Sequence, residues 1–262
     1  MPDIKQAIMQ KLSETEQQYT VKIPLAIESG SRGWCFASPD SDYDCRFIYV
    51  HPKRWYLSVF EQKDIIEYAV DPVYDVNGWD LKKVLQHIVK SNAVMLEWLS
   101  SNEIYIRDED IAVLLQDLAR DFFNPIAVSY HYLSIAKNKL NEILAADEAK
   151  LKRYLYVLRP LANLNFIHQH GTIPYMEYAR TLAETETPPE ILRGIDELLQ
   201  TKTMSDESHC IRRNEPLIAY FQSEIARFGE HLAQMTHEKH RDYARVDAVF
   251  QEIMERMWPN EH

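Results

Sequence analysis

The feature that most constrains the fold of this chain is residues 29–44, which carry a glycine-serine turn and two aspartates between two apolar runs. One run, residues 23–27, leads into the turn, and the other, residues 47–50, follows Asp42 and Asp44. Both runs are typical of buried strands. Because alternate residues of a strand point the same way, Asp42 and Asp44 direct both carboxylates to one point if they open the second strand.

The chemistry of this motif suits divalent cations and a phosphate-bearing substrate. Paired carboxylates are ligands that Mg²⁺ prefers, and two such ions side by side promote phosphoryl chemistry. The backbone N–H groups of a turn at Gly30 and the hydroxyl of Ser31 could hold a triphosphate beside those ions. Only six glycines occur in 262 residues, and both Gly30 and Gly33 fall in the motif, which suggests a close backbone approach there. The combination predicts nucleotidyl transfer.

Two other interpretations of the aspartates compete with a magnesium site. Asp40, Asp42 and Asp44 begin like an EF-hand calcium loop, which needs Gly at its sixth position and Glu at its twelfth. Those positions hold Cys45 and His51, so the calcium loop is excluded. An ordinary turn stays open, because the run Ser-Pro-Asp-Ser-Asp has good turn composition and such aspartates often bond to their own backbone.

Composition excludes several classes of protein. Hydrophobic residues make up 46% and charged residues 26% of the chain, which is ordinary for a soluble globular protein. There is no apolar run of membrane-spanning length and no signal peptide at the start, so we expect no membrane partner. Three cysteines fit neither a disulfide framework nor a zinc site, which favours a cytoplasmic location. The net charge of −11 argues against broad, non-specific nucleic-acid binding.

The hydrophobic pattern changes character along the chain. Its first third contains the strand candidates 22–28, 43–50, 55–60 and 64–70. From about residue 109 the pattern is almost entirely helical, and it predicts helices over 109–120, 125–146, 149–169, 174–183, 188–201 and 213–257. We therefore predict an α+β fold, with a small mixed-sheet head at residues 1–108 and a helical C-terminal body at residues 109–262.

At this point the sequence resembles a known family. Gly30-Ser31, a ten-residue gap and then Asp42-Tyr43-Asp44 are similar to the signature of the DNA polymerase β-like nucleotidyltransferase superfamily. Further stretches resemble the predicted nucleotidyltransferases associated with RNA repair pathways: residues 75–83, 90–92, 96–99 and 152–159. The likeness covers roughly residues 20–185, and it implies that the head has the nucleotidyltransferase fold.

The resemblance implies roles for three carboxylates. Asp42 and Asp44 are the expected metal ligands for two Mg²⁺ ions, with Mn²⁺ as the alternative. Members of the superfamily usually add a third carboxylate, which helps to activate the acceptor hydroxyl. Asp75 is the first choice here, because we expect it at a strand-to-helix junction. Glu67, in a strand candidate, and Asp80, which could instead cap the following helix, compete with it. The expected catalytic and metal-binding set is thus Asp42, Asp44 and Asp75.

The resemblance also implies contacts to the triphosphate. Ser31 is expected at the β- or γ-phosphate, with Gly30 allowing the close approach. Arg32 lies next to them and could meet phosphate oxygens or form a surface salt bridge. Lys82 and Lys83 begin a predicted helix, and we assign Lys83 to the triphosphate, with a solvated helical lysine as the alternative.

In the helical half, Lys152, Tyr154 and Arg159 are candidates to line the cleft. Arg159 is preferred, because phosphates favour the guanidinium fork. The expected substrate is a nucleoside triphosphate, with ATP and transfer of AMP favoured. The acceptor stays open between RNA, a protein and a small molecule.

Two further functions compete with the enzyme. The chain could bind nucleotides without turnover, or it could be an interaction protein that forms homo-oligomers through its C-terminal helices. The intact set of acidic residues favours the enzyme, because a pure scaffold has no need to pack like charges together.

Overall fold

The computed structural model describes residues 4–68, 73–236 and 242–259. The chain divides into two compact units, each made of segments that are separate in sequence. The first unit consists of Met1–Gly33, Asp42–Phe122 and Lys239–His262. The second unit consists of Trp34–Ser41 and Phe123–Glu238.

The first unit is built around one sheet with helices on both sides. In chain order, its elements up to Phe122 are α1 (Ile4–Tyr19), β1 (Lys22–Glu28), α2 (Gly30–Gly33), β2 (Tyr43–Val50), α3 (Lys53–Tyr56), β3 (Ile65–Glu67), β4 (Tyr74–Asp80), α4 (Leu81–Val89), α5 (Ala93–Ser100), β5 (Ile104–Arg107) and α6 (Glu109–Asp121). The strand order is β3-β4-β2-β1-β5, and β2 and β4 pair in parallel while the other neighbours are antiparallel.

The two faces of this sheet differ in chemistry. One face is apolar, and its side chains form a core with α1 that includes Leu12, Phe47, Tyr49 and Val76. On the other face α4 packs against β2 and β4. This helix buries apolar residues at helical spacing, namely Leu81, Val84, Leu85 and Ile88. The polar residues of the second face therefore lie at the end of the strands away from α4.

The second unit is mainly helical. Its elements are α7 (Pro125–Leu144), β6 (Glu148–Lys150), α8 (Leu151–His170), α9 (Tyr178–Ala183), α10 (Pro189–Met204), β7 (Cys210–Arg212) and α11 (Glu215–Ala233). The helices α7 and α8 pack together, and α8 is buried over most of its length. The short strands β6 and β7 pair antiparallel. The last helix, α12 (Tyr243–Met257), belongs to the first unit, where it packs against α4 and α6.

The α+β fold predicted from the sequence is confirmed, as are the strands at 22–28 and 43–50. The strand predicted at 55–60 is wrong, because α3 ends at Tyr56 and the apolar side chains that follow are exposed, 94% in the case of Val59. The single helix predicted at 213–257 is also wrong, because α11 ends at Ala233 and α12 begins at Tyr243.

Two other predictions concern the strand candidate at 64–70 and the domain boundary at residue 108. The strand candidate at 64–70 corresponds to β3 over Ile65–Glu67, and its last two residues lie outside the described residues. The domain boundary at residue 108 stays a prediction. It differs from the compact units, of which the first runs on through α6 and takes up α12.

Candidate active site

Three predicted carboxylates meet at one end of the sheet. Asp44 lies directly opposite Asp75 in the parallel pair of β2 and β4, and Asp42 immediately precedes β2. The charges of both neighbours act on Asp44, since each raises the pKa of its carboxyl group. The structure thus brings together Asp42, Asp44 and Asp75, and their assignment as metal ligands stays a prediction.

Asp75 lies at a different position in the secondary structure from the one expected. It is the second residue of β4, whereas the strand-to-helix junction lies five residues later at Asp80. Gly78 does not end the strand: a Cβ there would lie 2.1 Å from the ring of Phe47, so the glycine makes room for a core aromatic residue. The junction predicted around Asp75 is therefore wrong, although Asp75 itself joins the cluster.

Arg46 links two of the carboxylates and was missed in the sequence. Its Nη2 lies 2.9 Å from Asp44 Oδ1 and 2.8 Å from Asp75 Oδ2. Its Nη1 donates to the backbone carbonyl oxygens of Cys45 and Asp75, at 3.1 and 3.3 Å. The signal was present, because residue 46 must share a strand face with residue 44. Arg46 supplies the positive charge that lets two like charges stand side by side.

Gly30 brings the backbone against the Asp44 carboxylate. Its φ is +58°, a conformation that favours glycine, and a Cβ added to it would lie 1.9 Å from Asp44 Oδ2. The adjacent N–H of Ser29 donates to the Asp44 carbonyl oxygen at 2.8 Å. The turn is therefore built around Asp44, which is the close approach that the scarcity of glycine suggested.

Glu28 supports Asp44 from the neighbouring strand and was also missed in the sequence. Its side chain is buried, and Oε1 accepts the backbone N–H of Asp44 at 2.8 Å. Its other oxygen accepts the hydroxyl of Tyr105. Burial raises the pKa of Glu28, and these hydrogen bonds oppose the rise. Glu28 fixes the backbone from which the Asp44 carboxylate projects.

The electrostatics of the cluster favour a bound cation. Burial raises the pKa of Asp44, the repulsion from Asp42 and Asp75 raises it further, and Arg46 opposes both effects. A carboxylate held in this way gains from any additional positive charge nearby. A cation bound beside Asp44 would therefore stabilise the charged form of this carboxyl group.

The donor set fits magnesium in its chemistry. Within the described residues, no three His, Cys, Asp or Glu side chains are grouped closely enough to hold one ion. The oxygens of Asp42, Asp44 and Asp75 are nevertheless the hard ligands that Mg²⁺ and Mn²⁺ take. A cation shared by Asp44 and Asp75 would compete with Arg46 for the same oxygens.

Arg32 and Ser31 flank the cluster as the sequence predicts. Arg32 Nε donates to the carbonyl oxygen of Asp42 at 3.1 Å, and its guanidinium lies 3.9 Å from the ring centre of Tyr43. Ser31 is buried in the single turn of α2. A basic group therefore lies beside the backbone of Asp42, and the phosphate contacts of Arg32 and Ser31 stay predictions.

One family model matches nearly the whole chain. The model of RlaP, described as the RNA repair pathway DNA polymerase beta family, matches residues 4–252. The chain belongs to the RNA repair pathway DNA polymerase beta family. This membership makes it a nucleotidyltransferase-like protein, which agrees with the resemblance found in the sequence.

Two individual proteins are similar to this family member. The uncharacterized protein YcgL of Bacillus subtilis (strain 168) is 37% identical over 255 residues, which cover 97% of this chain and 98% of that protein. A nucleotidyltransferase-like protein from Exiguobacterium sibiricum 255-15, whose crystal structure is known, is 12% identical. The match has a TM-score of 0.32 and covers 97% of this chain and 80% of that one. A TM-score this low supports no statement about function.

The competing third carboxylates lie elsewhere in this RNA repair pathway polymerase beta family member. Asp80 is fully buried and caps α4, since its Oδ1 accepts the N–H of Lys82 at 2.8 Å. Its Oδ2 accepts the hydroxyl of Tyr56, also at 2.8 Å. Glu67 is exposed on β3, opposite Asn77. Asp80 therefore has the capping role considered as its alternative, and Asp75 is the carboxylate opposite Asp44.

Lys83 is not brought to the carboxylate cluster. It lies in α4, after the last residue of β4, and Asp75 lies near the first. The five residue steps of strand from Asp75 to Asp80 span about 17 Å. Lys83 Nζ instead pairs with Asp64 Oδ2 at 3.0 Å. Only 19% of the Lys83 side chain is exposed, so it is not the solvated helical lysine considered as its alternative either, and its phosphate contact stays a prediction.

The candidates from the helical half belong to the second unit. Arg159 is buried, and its guanidinium lies 3.9 Å from the ring centre of Trp34. Tyr154 is fully buried, and its hydroxyl accepts the N–H of Asn214, so it is a core residue. Lys152 forms an ion pair with an acidic residue of the same unit. The phosphate contact of Arg159 stays a prediction.

None of the helices in the described part of the chain combines the length and the apolar character that crossing a bilayer requires.

Proposed function

We propose that this protein is a Mg²⁺-dependent nucleotidyltransferase that transfers AMP from ATP to an acceptor hydroxyl and releases pyrophosphate. The observation that carries the proposal is the pairing of Asp44 with Asp75 on parallel strands, with Asp42 just before them and the Gly30 backbone against Asp44. Membership of the nucleotidyltransferase-like family supports the reaction class.

In this proposal the three carboxylates have different roles. Asp42 and Asp44 would hold the metal ions, and Asp75 would complete the set from the parallel strand. When bound, Mg²⁺ lowers the pKa of the acceptor hydroxyl and stabilises the charge on the leaving pyrophosphate. Glu28 and Gly30 keep Asp44 in place, so little reorganisation is needed at the moment of reaction.

The bond changes balance without any further reactant. The acceptor oxygen forms a bond to the α-phosphorus of ATP, while the bond from that phosphorus to the α–β bridging oxygen breaks. The electron pair of the broken bond leaves with pyrophosphate. The hydroxyl proton passes to Asp75, which is 35% exposed and therefore accessible to an acceptor.

The phosphate contacts follow from the flanking groups. Ser31 and the backbone at Gly30 are the nearest polar groups of the turn, and Arg32 lies beside the backbone of Asp42. A guanidinium pairs well with phosphate oxygens. These residues would orient the triphosphate toward the carboxylates, which is where positioning contributes most to the rate.

The acceptor decides the biological meaning of the reaction. The family description names an RNA repair pathway, so RNA is the first acceptor to test. The net charge of −11 disfavours long, non-specific RNA contacts, so a protein or a small molecule is tested beside it.

The test is incubation of the purified protein with Mg²⁺ and each of four α-labelled nucleoside triphosphates, together with pools of RNA, protein and metabolites. We expect label from ATP in one pool and an equal amount of pyrophosphate. Absence of both with every nucleotide and every pool would contradict the enzyme. Calorimetry with ATP would then distinguish a nucleotide-binding module from a protein that binds no nucleotide.

A further inference from the structure

The segment that leads into Asp42 is fixed by the helical unit. Residues Trp34–Ser41 belong to the second unit, whereas Gly33 and Asp42 on either side belong to the first. The carbonyl oxygen of Trp34 accepts the N–H of Tyr178 at 3.2 Å. Most of the ten-residue gap in the motif is thus held by contacts with other residues of the second unit.

Glu207 is the centre to which the end of this segment is bonded. Its Oε1 accepts the hydroxyl of Ser41 at 3.0 Å and that of Ser38 at 3.3 Å. Its backbone N–H donates to Asp40 Oδ2 at 3.1 Å. The two serines also bond to each other, with 3.0 Å between their hydroxyl oxygens. Three of the four residues before Asp42 therefore converge on one glutamate.

Two lysines hold Glu207 in its charged form. Lys202 is only 2% exposed, and its Nζ lies 2.8 Å from Glu207 Oε1 and 3.0 Å from Ser38 Oγ. Lys152 Nζ lies 2.7 Å from Oε2. Although burial opposes ionisation, hydrogen bonds from the lysines lower the pKa of Glu207 to about 2. A buried lysine needs such a partner, so the network is stable only as a whole.

Asp42 depends on this network more than Asp44 does. Asp44 lies within β2, and Glu28 accepts its backbone N–H. Asp42 precedes the strand and is exposed, and Arg32 Nε donates to its carbonyl oxygen. Strand register therefore directs the side chain of Asp44, while the loop before β2 directs that of Asp42.

We infer that Glu207 is a positioning residue for nucleotidyl transfer: it anchors residues 38–41 and thereby places Asp42 beside Asp44 for metal binding. The inference rests on the proposed function. Side chains that orient metal ligands change metal affinity by about 10- to 100-fold when they are removed.

The experiment measures Mn²⁺ binding by electron paramagnetic resonance, using full-length protein with a non-hydrolysable ATP analogue. Glu207→Gln should raise the Kd for Mn²⁺ about 10-fold. It should also speed the hydrogen exchange of amides 38–42 without changing exchange in β2. Glu142→Gln is the matched control, because Glu142 also pairs with two cations in the second unit, Lys139 at 2.7 Å and Arg153 at 3.2 Å. This control should bind Mn²⁺ like the wild type.

Failure of the positioning role and failure of the proposed function give different results in this experiment. Wild-type affinity and wild-type exchange in Glu207→Gln would overturn the positioning role while leaving the proposed function intact. Absence of Mn²⁺ binding in the wild type would overturn the proposed function and the inference with it. If Glu207→Gln exchanges faster throughout the second unit, Ser41→Ala provides the measurement, because it removes one hydrogen bond to Glu207 and the bonds between Ser41 and Ser38 while leaving Glu207 and its lysines in place. Unchanged Mn²⁺ affinity in that variant would again overturn the inference.

Discussion

The strand β4 carries an aspartate near each end, and the two have opposite surroundings. Asp75 is partly exposed, lies opposite Asp44 and is bonded to Arg46. Asp80 is fully buried, caps α4 and accepts the hydroxyl of Tyr56. Because five residues separate them, their side chains also leave the strand on opposite faces. The same residue type therefore has two different roles on one strand. Asp75 lies at the end of the sheet where the candidate site is, and Asp80 stabilises the start of the following helix.

The largest effect on transfer is expected at the end of the sheet where Asp44 and Asp75 lie. Asp44→Asn keeps the size of the side chain but removes the charge on which the electrostatics of the cluster centre. We expect transfer of label from ATP to fall by about 10³-fold or more, because a metal ligand and its charge are lost. Urea unfolding should show a folded protein. Full activity in this variant would contradict the assignment of Asp44 as a metal ligand.

The next effect compares two candidates for the third carboxylate. Asp75→Asn should reduce kcat by about 10²-fold, because it removes the group that accepts the hydroxyl proton. Glu67→Gln, on the exposed edge strand, should stay within about twofold of the wild type. Steady-state kinetics on both variants decides between them. A larger loss in Glu67→Gln than in Asp75→Asn would assign the role to Glu67.

The turn before the carboxylates provides a smaller and more specific effect. Gly30→Ala places a Cβ against the Asp44 carboxylate, so we expect about a 10-fold loss of transfer from the misplaced ligand. Gly171→Ala is the matched control, because Gly171 has a similar φ of +63° but no atom within 4 Å of the added Cβ. Both should lose stability through backbone strain of about 1–3 kcal/mol, and only Gly30→Ala should lose activity. Equal activity in the two would contradict the close approach.

The smallest effect on transfer is expected at the other end of β4. Burial raises the pKa of Asp80 to about 6, above its ordinary value of 3.8. The folded state therefore keeps the proton longer than the unfolded state, and this contribution to stability is lost as the pH rises from about 4 to about 6.

Asp80→Asn should remove that loss, which we put at about 2–3 kcal/mol, while its amide oxygen still caps α4. Urea unfolding at pH 4, 5, 6 and 7 measures the effect as a flatter profile than that of the wild type. Transfer should stay near the wild-type rate. A parallel profile in wild type and variant would show that Asp80 does not titrate in this range.

Much of the site could be predicted from the sequence because its signals are local. Gly30 and the pair Asp42 and Asp44 lie within one short motif, and the apolar runs on either side are strands as predicted. The strand β4 was not recognised, because Asn77 and Gly78 are typical of a turn. The chain stays extended there because β4 pairs with β2 on one side and β3 on the other, and Gly78 leaves room for the ring of Phe47.

The missed residues depend on contacts between distant segments. Glu28 is identified by the backbone of Asp44 on the neighbouring strand, so it has no local signature. Arg46 shares a strand face with Asp44, but its bond to Asp75 needs a second strand that lies far away in sequence. The prediction of a strand at 55–60 failed for the opposite reason. Val59 and its apolar neighbours have a strand-like pattern, but no sheet covers them and they are exposed. Pattern alone does not say whether a partner exists.

The measurement that tests the central claim most directly is Mn²⁺ binding in the presence of ATP, since it needs no acceptor. Electron paramagnetic resonance on wild type, Asp44→Asn and Asp80→Asn compares the two ends of the sheet under one condition. We predict that wild type and Asp80→Asn bind Mn²⁺ with equal affinity and that Asp44→Asn does not bind it. Binding retained in Asp44→Asn and lost in Asp80→Asn would place the site at the other end of the sheet and contradict the account.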